Sequence, residues 1–336
     1  MSNLLVEDAE DVLRDLEKYH RNNGEPGRYF GYEELNKYYT HKDAGVTDWT
    51  GFPGSGKTYF CLQGLFNLSI RYGKRHILWV PDIGGRKEVY AKLIKMYLGK
   101  DISNKYGNQI SHEDMVKALP WLSYHFIVLK KKNFKKGVTP IEFWEFVCEY
   151  KDESGKGVDT CLADSWKNFK HEFAGREDTY LDEVLSIRNE LAEENVKHIH
   201  TIAHAIKTEL SGQKGDGKRR IPTAWDIKGG GSWYANGKNI ITVDFPDKKS
   251  TWVNLYISKV KPEDVGHVGE VVNKMKLDVT KGQYYEVING NNWFPFQYQD
   301  RPQTLEMDFG NQQPDLNNQP IVEVNNEQVP HDDLPF

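Results

Sequence analysis

The eight residues Gly51-Phe52-Pro53-Gly54-Ser55-Gly56-Lys57-Thr58 constrain this chain more than any other stretch. They match G-x-x-x-x-G-K-[ST] at every fixed position, and that pattern works only between a strand and a helix. Both flanks comply. Val46–Thr50 is β-prone, and the segment from Tyr59 to Ile70 has helical patterning. The glycines let backbone N–H groups turn inward at the positive end of the following helix, which makes a cradle for phosphates. In such a P-loop, Lys57 pairs with the β- and γ-phosphates and Thr58 holds Mg²⁺ through its hydroxyl. ATP and Mg²⁺ are therefore the expected ligands. Gly51, Pro53, Gly54, Ser55, Gly56, Lys57 and Thr58 form the nucleotide site.

Around this motif, short apolar runs alternate with helix-length segments. The runs are Val46–Thr50, His76–Val80, His125–Leu129, Thr160–Ala163, His198–Ala203, Ile240–Val243 and Val253–Ser258. Strands separated by helices predict an α/β fold with a mostly parallel sheet flanked by helices. Only Asp244–Trp252 separates the last two runs, so they predict a late antiparallel hairpin. Upstream, Leu5, Val12, Leu13 and Leu16 pattern an amphipathic helix over 5–20, and Gly and Pro break it over 21–29. A compact core is expected to start near Tyr38. The predicted divisions are 1–37 (helix and linker), 38–300 (nucleotide-binding domain) and 301–336 (tail).

Composition removes several classes. The 336 residues are 38% hydrophobic and 28% charged, as in a globular protein with a core. No apolar run is long enough to cross a bilayer, and the start lacks a signal-peptide pattern. Cys61, Cys148 and Cys161 are far apart in apolar stretches and read as reduced core residues. A cytoplasmic setting is expected, with no membrane partner. From Arg301 onward there are seven acids and one base, whereas residues 1–300 hold 43 bases and 42 acids. The acidity belongs to the tail and does not exclude a nucleic-acid partner for the body. Residues 303–328 are crowded with Asn and Gln, and disorder is expected there.

A hydrolase of this kind needs a second Mg²⁺ anchor and a base for the attacking water. Asp164 ends the apolar strand Thr160–Ala163 and is the candidate anchor, at the tip of a strand expected beside the P-loop strand. Asp82 ends the run His76–Pro81. It reads either as the catalytic base in the crevice at the strands' C-terminal edge or as the cap of a helix beginning near Arg86.

In this order the motifs resemble the RecA-fold motor domain of ring-shaped replicative DNA helicases, the DnaB, Twinkle and phage primase–helicase type. The resemblance runs from Asp43 to Glu286. It implies a homo-hexameric, ATP-driven motor on single-stranded DNA. The family places a catalytic Glu where this chain has Asp82. Leu162-Ala163-Asp164-Ser165-Trp166-Lys167-Asn168 is similar to its Walker B segment. His204, followed by Lys207, matches its phosphate sensor and a His-x-x-Lys pattern. Gly229-Gly230-Gly231-Ser232 looks like its Gly-Ser signature. Lys259 and Lys261, before Gly266 and Gly269, match the basic residues that reach a neighbour's ATP. The usual Arg is Lys261 here, which keeps the charge but loses the planar fork. Taken singly, His204 also reads as a core histidine, Lys259 and Lys261 as edge-strand lysines, and Gly229–Gly231 as a plain turn.

Between the sensor and the Gly-Ser signature, residues 207–220 carry five bases, two acids and three glycines. In the resembling helicases a loop in this place holds single-stranded DNA, which nominates Lys207, Lys214, Lys218, Arg219 and Arg220. Lys167–Arg176 is a second candidate loop. The final Asp332-Asp333-Leu334-Pro335-Phe336 resembles the C-terminal tip of bacterial single-stranded-DNA-binding protein (SSB), which basic clefts on replication and repair proteins bind. Three functions follow as expectations: a hexameric helicase, a RecA-like DNA-dependent ATPase that does not unwind, and an SSB-tailed binding protein with weak ATPase.

Overall fold

Among the described residues, ten strands form one sheet in the order β10-β9-β8-β7-β6-β1-β5-β4-β2-β3. In this computed structural model the described residues are 8–22, 24, 26–130, 136–172, 177–206, 221–245 and 251–296, without the side chains of 264 and 272–274. They belong to the first of the chain's two units, 1–301 and 302–336.

The parallel half holds β1 (Gly45–Thr50), β2 (His76–Trp79), β3 (Phe126–Val128), β4 (Thr160–Asp164), β5 (His198–Ile202) and β6 (Asn239–Asp244). These strands are buried almost throughout because helices cover both faces. Side chains alternate between the faces. Leu78, Leu162 and Ile202 join one core with Phe60, Leu65, Phe66 and Leu93 from α3 (Lys57–Tyr72) and α4 (Arg86–Leu98). Ile77, Cys161, Ala163 and Ile199 join another with Phe143, Trp144 and Val184 from α6 (Pro140–Glu149) and α7 (Glu177–Glu194). The α/β class with a mostly parallel, helix-flanked sheet is thus the observed one. A buried ion pair ties the α7 layer to β1. Arg188 donates to both oxygens of Asp48, at 2.5 and 3.1 Å, and to Thr201 Oγ1 at 3.1 Å.

All seven apolar runs are strands. The late hairpin is the start of something longer. β7 (Trp252–Lys259) pairs antiparallel with β6, and β8 (Gly269–Asp278), β9 (Gln283–Ile288) and β10 (Asn291–Trp293) continue the meander. Lysines and Asn273 interrupt the apolar signal of β8, which hides it in sequence. The meander is fastened to α3 by Gln63, whose amide exchanges hydrogen bonds with the Tyr284 backbone at 3.0 and 2.6 Å.

The core also starts earlier than Tyr38, since Phe30, Tyr32 and Leu35 are fully buried in it. The short α2 (Glu33–Tyr38) has no cap of its own. Glu286 of β9 supplies one, accepting from the Glu33 and Glu34 backbone N–H groups at 2.7 and 2.9 Å. In contrast α1 (Ala9–Arg21) buries none of its residues among those described. Cys61 and Cys161 are buried, Cys148 is half-buried, and all three are free thiols.

Candidate functional site

Backbone geometry builds the loop of the Gly51–Thr58 motif, the candidate phosphate cradle. Gly51 follows β1 at φ +140°, and a Cβ there would lie 2.3 Å from the Val243 carbonyl oxygen. Only glycine lets the chain turn here against β6. Gly56 precedes α3 at φ +82°, where a Cβ would meet Tyr284 Oη at 2.6 Å. The Lys57 ammonium donates to the Gly51 and Phe52 carbonyls, both at 2.9 Å. Burial pushes it down to about 8, against the pull of Asp164.

Thr58, in the first turn of α3, donates its hydroxyl to Asp164 Oδ2 at 2.6 Å. Asp164 Oδ1 is buried with no hydrogen-bond partner among the described residues. Burial raises this carboxyl to about 6, opposed by the Thr58 hydroxyl and reinforced by the charge of Asp82. A hydroxyl, a carboxylate and an open carboxylate oxygen are the hard donors that Mg²⁺ takes. Thr58 and Asp164 therefore fit the metal that the motif implies.

Asp82 lies just beyond β2. Asn168 Nδ2 donates to its Oδ1 at 2.8 Å, and Ser165 Oγ to its Oδ2 at 3.2 Å. Lys167 Nζ stands 3.3 Å from the same carboxylate and His204 Nε2 3.7 Å. Burial pushes the Asp82 carboxyl up, but the hydrogen bonds of Asn168 and Lys167 and the charge of Lys167 outweigh it and hold it below the usual range. His204 is half-buried. Burial and the Lys57 and Lys167 charges push its pKa down, and Asp82 opposes them. One ligand-type atom each from Asp82, Asp164 and His204 lies within 4.8 Å of the others. Side chains from three separate strand ends thus meet beside the cradle.

The helix-cap reading of Asp82 falls away, because α4 starts at Arg86 with Gly85 as its N-cap and no side-chain cap. The expected neighbourhood of Asp164 is corrected as well. β5 lies between β1 and β4, so the Asp164 strand is not next to the P-loop strand. The contact with Thr58 forms because α3 leads from β1 to β2 and must cross over β5 and β4. Ser165 and Asn168 enter the sequence only as members of a motif, and their hold on Asp82 needs the fold. Lys167 and Asn168, from the second candidate DNA loop, turn into this cluster.

Lys259 and Lys261 lie elsewhere. Register pairs Lys259 with Ile240 near the start of β6, whereas the P-loop leaves β1 beyond Thr50, level with Thr242. Neither lysine reaches its own chain's cradle. Lys259 Nζ donates to the Tyr234 carbonyl and, at 3.2 Å, to that of Ala235. The edge-strand reading fails, since β7 lies inside the sheet. The plain-turn reading of Gly229–Gly231 fails too. Gly229 takes φ +73° and caps α8 (Gly230–Asn236), and a Cβ on Gly230 would lie 2.6 Å from the Trp225 backbone. The candidate DNA-contact residues Lys207, Lys214, Lys218, Arg219 and Arg220 are outside the described residues. So is the tip Asp332–Phe336.

A second polar cluster, His41, His198 and His200, carries no signal in the sequence. It is built as a hydrogen-bond network. Trp49 Nε1 donates to His200 Nδ1 at 3.1 Å, which leaves the His200 proton on Nε2, facing His41 Nε2 at 3.1 Å. His198 is held through Thr47 Oγ1 and the Lys42 carbonyl, each at 2.8 Å. A protonated Nε2 cannot ligate a metal, so the network reads as a structural tie under β1 and β5.

No protein-family model matches the chain, and no curated protein matches it. Solved structures do. The chain is similar to a separately solved ATPase domain, with 16% identity and a TM-score of 0.66 over 83% of this chain and 99% of that one. It is also similar to a DnaB-like replicative helicase, described with its interactions with primase, at 15% identity and a TM-score of 0.61, over 84% of this chain and 67% of that one. At such identities the likeness is one of fold. This chain has the RecA-like P-loop NTPase fold, in the form those two structures share. Among the described residues no helix is long and apolar enough to cross a membrane.

Proposed function

We propose that this protein hydrolyses ATP to drive movement along single-stranded DNA, as a homo-hexameric, replicative-type DNA helicase. The observation that carries the reading is the meeting of Asp82, Asp164 and His204 at three strand ends, with Asp164 bonded to Thr58 of the P-loop. The two structural neighbours, an ATPase domain and a replicative helicase, support it. ATP is the substrate, and Gly51, Pro53, Gly54, Ser55, Gly56 and Lys57 cradle its phosphates. Thr58 and Asp164 hold Mg²⁺, whose chemistry is to neutralise charge on the phosphoryl oxygens. Asp82, ionised at neutral pH, orients the attacking water and takes its proton. Ser165 and Asn168 fix the rotamer of that carboxylate. His204, neutral and hydrogen-bonding, senses the terminal phosphate.

Lys259 and Lys261 act on a neighbouring copy, since both lie away from their own cradle. Lys207, Lys214, Lys218, Arg219 and Arg220 contact the DNA backbone. The Asp332–Phe336 tip engages basic clefts on other replication or repair proteins, and the setting is the cytoplasm of a bacterium or phage-infected cell. Of the expected divisions 1–37, 38–300 and 301–336, the motor reaches back at least to Phe30, because Phe30, Tyr32 and Leu35 are buried in its core, with the helix and linker ahead of it and the tail behind. Strand displacement by the wild type, lost in Lys57→Ala, is the expected result. DNA-independent ATP turnover without unwinding, in a sample shown to be a ring, would refute the helicase reading.

A second reading is favoured by Lys259, whose ammonium is committed to carbonyls of its own chain. In it the protein is a RecA-like DNA-dependent ATPase of recombination or helicase loading. Filaments rather than closed rings on DNA, seen by electron microscopy, would select it.

A further inference from the structure

Trp225 is the most exposed large apolar side chain among the described residues, at 62%. It does not sit on a loose segment. Its neighbours Ala224 and Asp226 are buried, and the Asp226 carboxylate accepts from the Thr223 backbone N–H and hydroxyl at 2.7 and 3.1 Å. A braced turn thus holds an indole out in solvent. The indole lies against α8. A Cβ on Gly231 would be 3.7 Å from Trp225 Cζ3, and the ring stacks on Tyr234 with centroids 5.2 Å apart and planes 25° apart. Tyr234 is itself exposed, and Lys259 Nζ sits 5.0 Å from its ring centre. Burial and the positive charges of Lys261 and Lys238 push the Lys259 ammonium pKa down, so cations gather on this side.

We propose that the Trp225–Tyr234 stack is a platform on which an unpaired nucleobase of single-stranded DNA lies. The inference rests on the single-strand reading above and adds a base contact to a phosphate-only picture. A flat, solvent-facing indole backed by a second ring offers a π-face, and every base presents a matching one. Position agrees. The Ile206 backbone N–H donates to the Asp226 carbonyl at 2.7 Å, and Ala205 bridges to Ile227. Trp225 therefore stands next to the point where the basic stretch 207–220 begins in sequence. Base stacking of this kind is sequence-tolerant, as a translocating protein requires.

The test compares a fluorescein-labelled thymidine 20-mer with an abasic oligonucleotide of equal length, by anisotropy, for the full chain with a non-hydrolysable ATP analogue. Wild type is expected to prefer the thymidine strand. Trp225→Ala loses roughly 5- to 100-fold of that affinity while keeping its abasic binding and salt slope, and Trp225→Phe retains most of it. Thermal melts check that the variants fold. If Trp225→Ala binds both strands as wild type does, the platform is refuted and the single-strand reading survives. If Trp225→Ala weakens both strands equally and lowers the oligomeric mass, the surface is a contact between copies and the platform is again refuted. If wild type binds neither strand, the single-strand reading falls and takes the platform with it.

Discussion

Thr58 and Asp164 are 106 residues apart in sequence and 2.6 Å apart in space. The contact joins the first turn of the P-loop helix to the tip of a strand two places away in the sheet. It holds one carboxylate oxygen and leaves the other open. Asp164→Asn keeps the shape and removes the charge. It is expected to raise the Mg²⁺ concentration needed for half-maximal ATP turnover by about 10- to 100-fold or more. An unchanged magnesium titration would remove Asp164 from the metal site.

Asp82 is the next test. Asp82→Asn is expected to lower kcat by about 10²- to 10⁴-fold while nucleotide binding, followed with a fluorescent ATP analogue, stays near wild type. Asn168→Ala frees the carboxylate without deleting it, and a smaller loss confined to kcat is expected. Equal turnover in wild type and Asp82→Asn would transfer the base role elsewhere.

Much of this site is legible in the residues alone. The P-loop names itself, and three strand ends put Asp82, Asp164 and His204 on one edge by simple counting. The sequence does not say that β5 runs between β1 and β4, because strand order depends on which helices cross where. Nor does it show Ser165 and Asn168 gripping Asp82, a contact across 83 and 86 residues. β8 is hidden because its apolar positions alternate with lysines and Asn273, and the His41–His198–His200 network because its members are scattered among apolar runs.

That histidine network predicts an acid limit. Burial lowers His198 from the ordinary 6.5 to about 4, and burial with the neighbouring histidines holds His41 and His200 well below 6.5. The folded state binds fewer protons than the unfolded one in this window. Stability is therefore full above pH 6.5 and falls as pH drops toward 4, with His198 alone costing roughly 3 kcal/mol at the lower end. Melting temperatures read at pH 7.5, 6, 5 and 4 should decline across that span, and His198→Asn should flatten part of the slope. A flat profile would contradict the burial of neutral rings.

The Arg188–Asp48 pair gives a prediction of opposite character. Both side chains are almost fully buried, so Arg188→Leu leaves an unpaired carboxylate under β1. A loss of about 3–5 kcal/mol is expected by chemical denaturation. The double change Arg188→Leu with Asp48→Leu should recover much of it. Additive losses would mean that the two side chains stabilise the fold independently.

The place of β5 has one more consequence. The strand is hydrogen-bonded along both sides, to β1 on one flank and β4 on the other. It is clamped like a rail between the strand that leads into the phosphate loop and the strand that ends in the metal-side carboxylate. A rail held on both sides cannot slip to absorb a push at its tip. The backbone beyond His204 leads directly into the Ala205–Ile227 bridge, beside the turn that carries Trp225. With His204 in its proposed sensing role, spent and fresh nucleotide would be felt as a change of slope at one indole.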